Sequence, residues 1–190
     1  MKKQGTIHSD FAHVPNSITC FRIVGSVVLL FLPSFSVAFY VLYSLCGVSD
    51  AVDGFIARRF KLTSDLGSRL DSIADLLFYA AMLVHVIPFL VSQYVPTAVW
   101  YTVSALILLR VGTYLLAAVK YHRFSSLHTY ANKATGIMLF SVPYLLLFAN
   151  PTVVSWIACV ACAVSSIEEL LIHCCVKEYP SEAKTIFHIQ

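Results

Sequence analysis

Apolar positions dominate this chain in six long runs, separated by short breaks of proline, serine, asparagine and charge. A bilayer core of about 30 Å takes roughly 20 apolar residues in helical conformation. By that measure six spans are predicted: about Ser17 to Leu32, Ser36 to Phe60, Asp65 to Val91, Thr97 to Tyr121, Leu127 to Phe148 and Pro151 to Cys175. Pro33-Ser34, Lys61 to Ser64, Ser92 to Pro96, His122 to Ser126 and Asn150-Pro151 mark the breaks. Ahead of the first run, Ser9 to Ile18 predicts a short interfacial helix with Phe11 and Val14 toward lipid. Residues 1–14 carry neither an apolar h-region nor a small-residue cleavage site, so the N-terminus is expected to stay in the mature protein. The expected organisation is an all-α integral membrane protein. It has an N-terminal interfacial segment over 1–16, a six-helix membrane domain over 17–175 and a tail over 176–190.

Composition agrees. Of 190 residues 58% are hydrophobic and 12% charged, and the mean hydropathy is +0.78, outside the usual soluble mix. The net charge of +3 is small and gives nucleic-acid binding no support. Its distribution is informative: Lys2, Lys3, Arg58, Arg59, Lys61, Lys120, Arg123, Lys177 and Lys184 fall on one side of a six-span arrangement. The connections near Pro33, Ser92 to Pro96 and Asn150 carry no lysine or arginine. The positive-inside rule then makes both termini cytoplasmic, in the plasma membrane.

One stretch breaks the apolar pattern: SDAVDGFIARRFKLTSDLGSRLDSIAD places Asp50, Asp53, Asp71 and Asp75 at the cytoplasmic ends of spans two and three. Spacings of three and four put each pair on one helix face. Two such pairs on facing helices repel unless a cation lies between them, and hard divalent ions take oxygen ligands of this kind. A divalent-cation transporter or an intramembrane prenyltransferase would also use acidic helices. A transporter site belongs nearer the midplane, and neither rival explains the small residues Gly54, Ala57 and Gly67 between the pairs. Those residues also suit close helix packing.

The spacing D-x2-D-G-x2-A-R-x8-G-x3-D-x3-D is filled by Asp50, Asp53, Gly54, Ala57, Arg58, Gly67, Asp71 and Asp75. It resembles the signature of the CDP-alcohol phosphatidyltransferases, and PNSITCFR, with Pro15, Asn16, Thr19 and Arg22, resembles that family's first-helix opening. The resemblance implies transfer of a phosphatidyl group from CDP-diacylglycerol to an alcohol, with release of CMP at the cytoplasmic membrane face. It implies two Mg²⁺ or Mn²⁺ ions on the four aspartates, with Asp75 as general base. Asp50, Gly54, Ala57, Arg58, Gly67 and Asp71 would receive the CDP-lipid, and the chain would form a homodimer among membrane lipids.

Acceptor choice is expected to involve basic residues. Arg110 lies near the middle of span four, where an ionised side chain signals function. Lys133 is two turns into span five, and Arg123 lies between them. With Arg22 and Asn16 these could form a basic pocket beside the metals, which would suit a phosphorylated acceptor, glycerol 3-phosphate giving phosphatidylglycerophosphate. Phosphatidylglycerol (giving cardiolipin), serine and inositol phosphate are the alternatives. Arg110 could equally pair with Glu168 or Glu169 of span six and hold helices together. Cys159 and Cys162 form a CxxC inside an apolar helix without a second pair, which favours packing over metal binding.

Overall fold

A computed structural model describes residues 13–60, 65–121 and 129–176, with side chains placed for all of these except 13–16, 51, 53–60 and 65–69. The described residues form six helices and no strand: α1 His13–Leu29, α2 Val37–Phe60, α3 Asp65–Ser92, α4 Thr97–Tyr121, α5 Tyr130–Phe148 and α6 Pro151–Cys175. Most of the expected interfacial segment, including Phe11, lies outside the described residues, as do the 122–128 connection and the tail from 177.

Four stretches among the described residues are long and apolar enough to cross a membrane: Leu70–Ser92, Thr97–Tyr121, Tyr130–Phe148 and Pro151–Cys175. The other two apolar helices, Ser17–Leu29 and Val37–Asp50, are shorter. α1 ends three residues before its expected limit, because Leu30, Phe31 and Leu32 turn tightly back onto the carbonyls of Val27, Val28 and Leu29 ahead of Pro33. α5 begins at Tyr130 because Thr129 is its N-cap, the side chain accepting the Asn132 N–H. Asn150 caps α6 in the same way, with Pro151 in the first turn where its missing N–H costs nothing. Two non-glycine residues, Phe35 (φ 57°) and Tyr94 (φ 51°), take left-handed backbone in the α1–α2 and α3–α4 connections.

The chain divides into two compact units, residues 1–89 and 90–190. In the first, α1 and α2 approach closely: a Cβ on Gly25 would stand 2.7 Å from the Cys46 sulfur. α2 and α3 meet through rings. Phe35 packs on Phe89 (centroids 4.8 Å), Phe39 on His85 (4.8 Å) and Tyr43 stacks on Phe78 (4.8 Å). His85 also closes the end of this unit. A carbonyl only accepts, so Nε2–H donates to Leu29 O (2.8 Å), and Nδ1 accepts from the Ser34 hydroxyl (2.8 Å).

In the second unit, Val95, Val99 and Cys159 form a buried cluster flanked by Leu90, Val103 and Leu106. Thr135 on α5 donates to the Ala161 carbonyl on α6 (3.0 Å), a polar tie between apolar helices. Cys159 is buried in this packing, and both cysteines of the CxxC are free thiols. At the far end of α6, Lys120 Nζ donates to His173 O (2.6 Å) and the Tyr121 hydroxyl to Val176 O (2.7 Å). Side chains of α4 thus satisfy carbonyls that the end of α6 leaves open.

Candidate metal and phosphate site

The ring ladder between α2 and α3 runs antiparallel, from Phe35 and Phe89 through Phe39 and His85 to Tyr43 and Phe78. Continued in the same register, it brings Asp50 opposite Asp71 and Asp75. One carboxylate oxygen from each lies within 4.8 Å of those of the other two. The three side chains are about half exposed, at 52%, 48% and 49%.

Arg22 of α1 lies against all three and is only 1% exposed. Its Nη1 donates to Asp50 Oδ1 and its Nη2 to Asp71 Oδ1, with Asp75 Oδ1 3.4 Å from Nη2. The Ser26 hydroxyl donates to the Arg22 carbonyl (2.7 Å), one turn back along α1. Arg22, expected in a basic pocket beside the metals, lies among the aspartates themselves. No periodicity could have signalled this, since its partners are 28 and 49 residues away.

Asp53, Gly54, Ala57 and Arg58 are in the last turns of α2, Gly67 is in the first turn of α3 and Asn16 is near the start of α1. Their side-chain surroundings lie outside the described residues, and Arg123 lies outside them altogether. The donor set that is described suits a hard divalent cation. Three carboxylates spanning under 5 Å can converge on an ion whose Mg²⁺ or Ca²⁺-type oxygen distances are about 2.0–2.6 Å. One guanidinium offsets only one of their three charges.

A second polar cluster lies in the 90–190 unit. Arg110 Nη1 is 2.9 Å from Glu169 Oε2, and both Nη atoms lie 3.2 Å from Asn132 Oδ1. Its Nε donates to the Tyr114 hydroxyl (3.1 Å). Asn132 Nδ2 donates to Glu169 Oε2 (2.9 Å), closing a network across α4, α5 and α6. Glu169 is fully buried, whereas Arg110 keeps 26% exposure. The ion pair weighed for Arg110 is present, with Glu169. Asn132 was not anticipated as its second partner. His173, one turn beyond Glu169, is fully buried with its Nε2 3.9 Å from Glu169 Oε1. Lys133 is exposed, its Nζ 5.8 Å from the centre of the Tyr130 ring.

Comparison with known proteins follows the same lines. The family model described as CDP-alcohol phosphatidyltransferase matches residues 12–167, from the start of α1 to within two residues of Glu169. The CDP-diacylglycerol–glycerol-3-phosphate 3-phosphatidyltransferase of Haemophilus influenzae is 30% identical over 108 residues, covering 51% of this chain and 52% of the relative. The protein of the same description from Sodalis glossinidius is 35% identical over 83 residues (38% of this chain, 42% of the relative). The CDP-diacylglycerol–inositol 3-phosphatidyltransferase of Candida albicans is 28% identical over 85 residues (44% and 37%). The chain spans about half the length, or less, of the curated relatives it matches. No solved structure matches.

Proposed function

This chain belongs to the CDP-alcohol phosphatidyltransferase family, and on that premise we propose that it moves a phosphatidyl group from CDP-diacylglycerol to glycerol 3-phosphate, forming phosphatidylglycerophosphate and CMP. The observation that carries the reading is the convergence of Asp50, Asp71 and Asp75. With Asp53 they would hold two Mg²⁺ or Mn²⁺ ions, which when bound supply electrophilic stabilisation to a pyrophosphate. Arg58 grips phosphate oxygens as a two-pronged donor. Gly54, Ala57 and Gly67 leave room for the nucleotide against the helix backbones. Asp75 takes the proton from the acceptor hydroxyl, whose oxygen forms a new bond to the phosphatidyl phosphorus. The bond from that phosphorus to the bridging oxygen breaks, and CMP leaves with the electron pair.

Arg110 and Lys133, with Arg123 and Asn16, are proposed to receive the acceptor phosphate. Arg22, engaged by three carboxylates, is assigned differently below. The Haemophilus influenzae relative named for glycerol 3-phosphate exceeds the Candida albicans relative named for inositol in both identity and matched length, which favours the former acceptor. The same reading has the chain crossing the plasma membrane six times as a homodimer, with both termini and the aspartates on the cytoplasmic side.

The test is CMP release by the purified protein in detergent with CDP-diacylglycerol and Mg²⁺. Glycerol 3-phosphate, phosphatidylglycerol, serine and inositol 1-phosphate are supplied one at a time. Release with glycerol 3-phosphate alone, abolished by EDTA, is expected; release with a different acceptor would replace the product assigned here. Asp75→Asn should remove turnover while CDP-diacylglycerol binding survives, and full activity in that variant would rule out Asp75 as the base.

A further inference from the structure

Arg22 approaches the aspartates from the packed side of its unit. It is 1% exposed, while the three carboxylates it meets are about half exposed. Its two terminal nitrogens divide between helices, Nη1 going to Asp50 on α2 and Nη2 to Asp71 and Asp75 on α3. A planar guanidinium with donors fixed in a fork can make that division, whereas an ammonium is a single point charge. The α1 backbone beneath it is held in turn, by the Ser26 hydroxyl on the Arg22 carbonyl and by the close approach of Gly25 to Cys46. The charge is therefore fixed in place, and the exposed side of the cluster stays open to an incoming ion.

We propose that Arg22 is a built-in counter-cation of the metal site. It holds the α2 and α3 carboxylates together when no ion is bound, and by its charge it keeps the site's affinity for divalent ions low enough for them to exchange. Arg22 is thus a positioning residue, acting through the aspartates and touching neither substrate nor acceptor. The inference rests on the reading that these aspartates bind divalent ions.

The test compares Mn²⁺ binding, followed by electron paramagnetic resonance of the free ion, with thermal stability in EDTA. It uses full-length wild-type protein and the Arg22→Gln and Arg22→Lys variants. Arg22→Gln keeps two N–H donors and most of the volume while removing the charge. It should melt at a lower temperature than wild type in EDTA and bind Mn²⁺ roughly tenfold more tightly, because a like charge a few ångströms from the ion has gone. Arg22→Lys, which restores the charge, should return the Mn²⁺ affinity close to the wild-type value. A residue that merely packs would lower stability in both variants and leave the affinity unchanged. Unchanged or weaker Mn²⁺ binding in Arg22→Gln overturns the proposal. Absence of Mn²⁺ binding in the wild type would instead remove the metal reading on which it stands.

Discussion

The ion pair across α4 and α6 offers a quantitative test, because its two members differ in exposure. Glu169 has no solvent contact, and the Arg110 guanidinium and the Asn132 amide both approach the same carboxylate oxygen, each at 2.9 Å. Arg110→Met removes the guanidinium and leaves the carboxylate buried. Breaking a buried pair from one side costs about 3–5 kcal/mol, so this variant should lie in that range. Glu169→Leu leaves Arg110, which keeps its bonds to Asn132 Oδ1 and the Tyr114 hydroxyl, and should cost less, about 2–3 kcal/mol. The double variant Arg110→Met/Glu169→Leu strands neither charge. Since replacing a buried pair by apolar side chains is often close to neutral, it should fall within about 1–2 kcal/mol of wild type. Unfolding equilibria in mixed detergent micelles measure all four proteins, and a coupling energy of at least about 2 kcal/mol is expected. Costs that simply add would show that the two groups do not stabilise one another. The double variant also isolates function. If Arg110 receives the acceptor phosphate, the folded double variant has a raised KM for glycerol 3-phosphate and an unchanged KM for CDP-diacylglycerol. If both constants stay at wild-type values, the network serves only to join helices.

Two further contacts probe the unit that carries the aspartates. Gly25→Ala places a methyl 2.7 Å from the buried Cys46 sulfur, so either the Cys46 side chain or α1 itself must shift, and a shift of α1 carries Arg22 with it. A loss of about 1–3 kcal/mol, as for an overpacked core, is expected together with reduced CMP release. Gly25→Ala/Cys46→Ala, which removes the obstructing sulfur, should recover most of both; wild-type behaviour of the single variant would refute the close approach. His85→Leu removes one of the two donors to Leu29 O, which keeps the Leu32 N–H, and leaves the Ser34 hydroxyl without its acceptor; it should lower stability by about 1–3 kcal/mol. Ser34→Ala should cost less, because His85 keeps its bond to Leu29 O; equal losses would show that the His85–Leu29 bond adds nothing to stability.

The helices were legible because a membrane imposes a coarse rule on sequence. Thr97–Tyr121 and Pro151–Cys175 coincide with their expected limits, since proline and asparagine fix where each begins. Asp71 and Asp75 were legible as partners because their i, i+4 spacing survives into three dimensions as a shared face, and Asp50 meets them from α2. The destinations of the single basic residues were not. Arg22 and Arg110 look alike in sequence, each an isolated charge in an apolar run. One meets three carboxylates and the other a carboxylate and an amide, through contacts 22 to 59 residues apart along the chain. Such pairing follows from helix packing, which apolar periodicity constrains only to a face. The distinction between Glu168 and Glu169 is of the same kind, because neighbours on a helix point about 100° apart and only the packing selects one.

The ring ladder between α2 and α3 has a consequence for how the aspartate signature tolerates change. Each helical residue advances the side-chain direction by about 100°. Inserting or deleting one residue between Asp75 and Phe78 would leave every spacing inside the signature intact and still swing both α3 carboxylates away from Asp50. The interval from the last aspartate to the first ring is therefore under the same geometric constraint as the intervals within the signature. A relative that keeps all four aspartates with altered phase at this point should be suspected of having lost the site, whatever its motif reads.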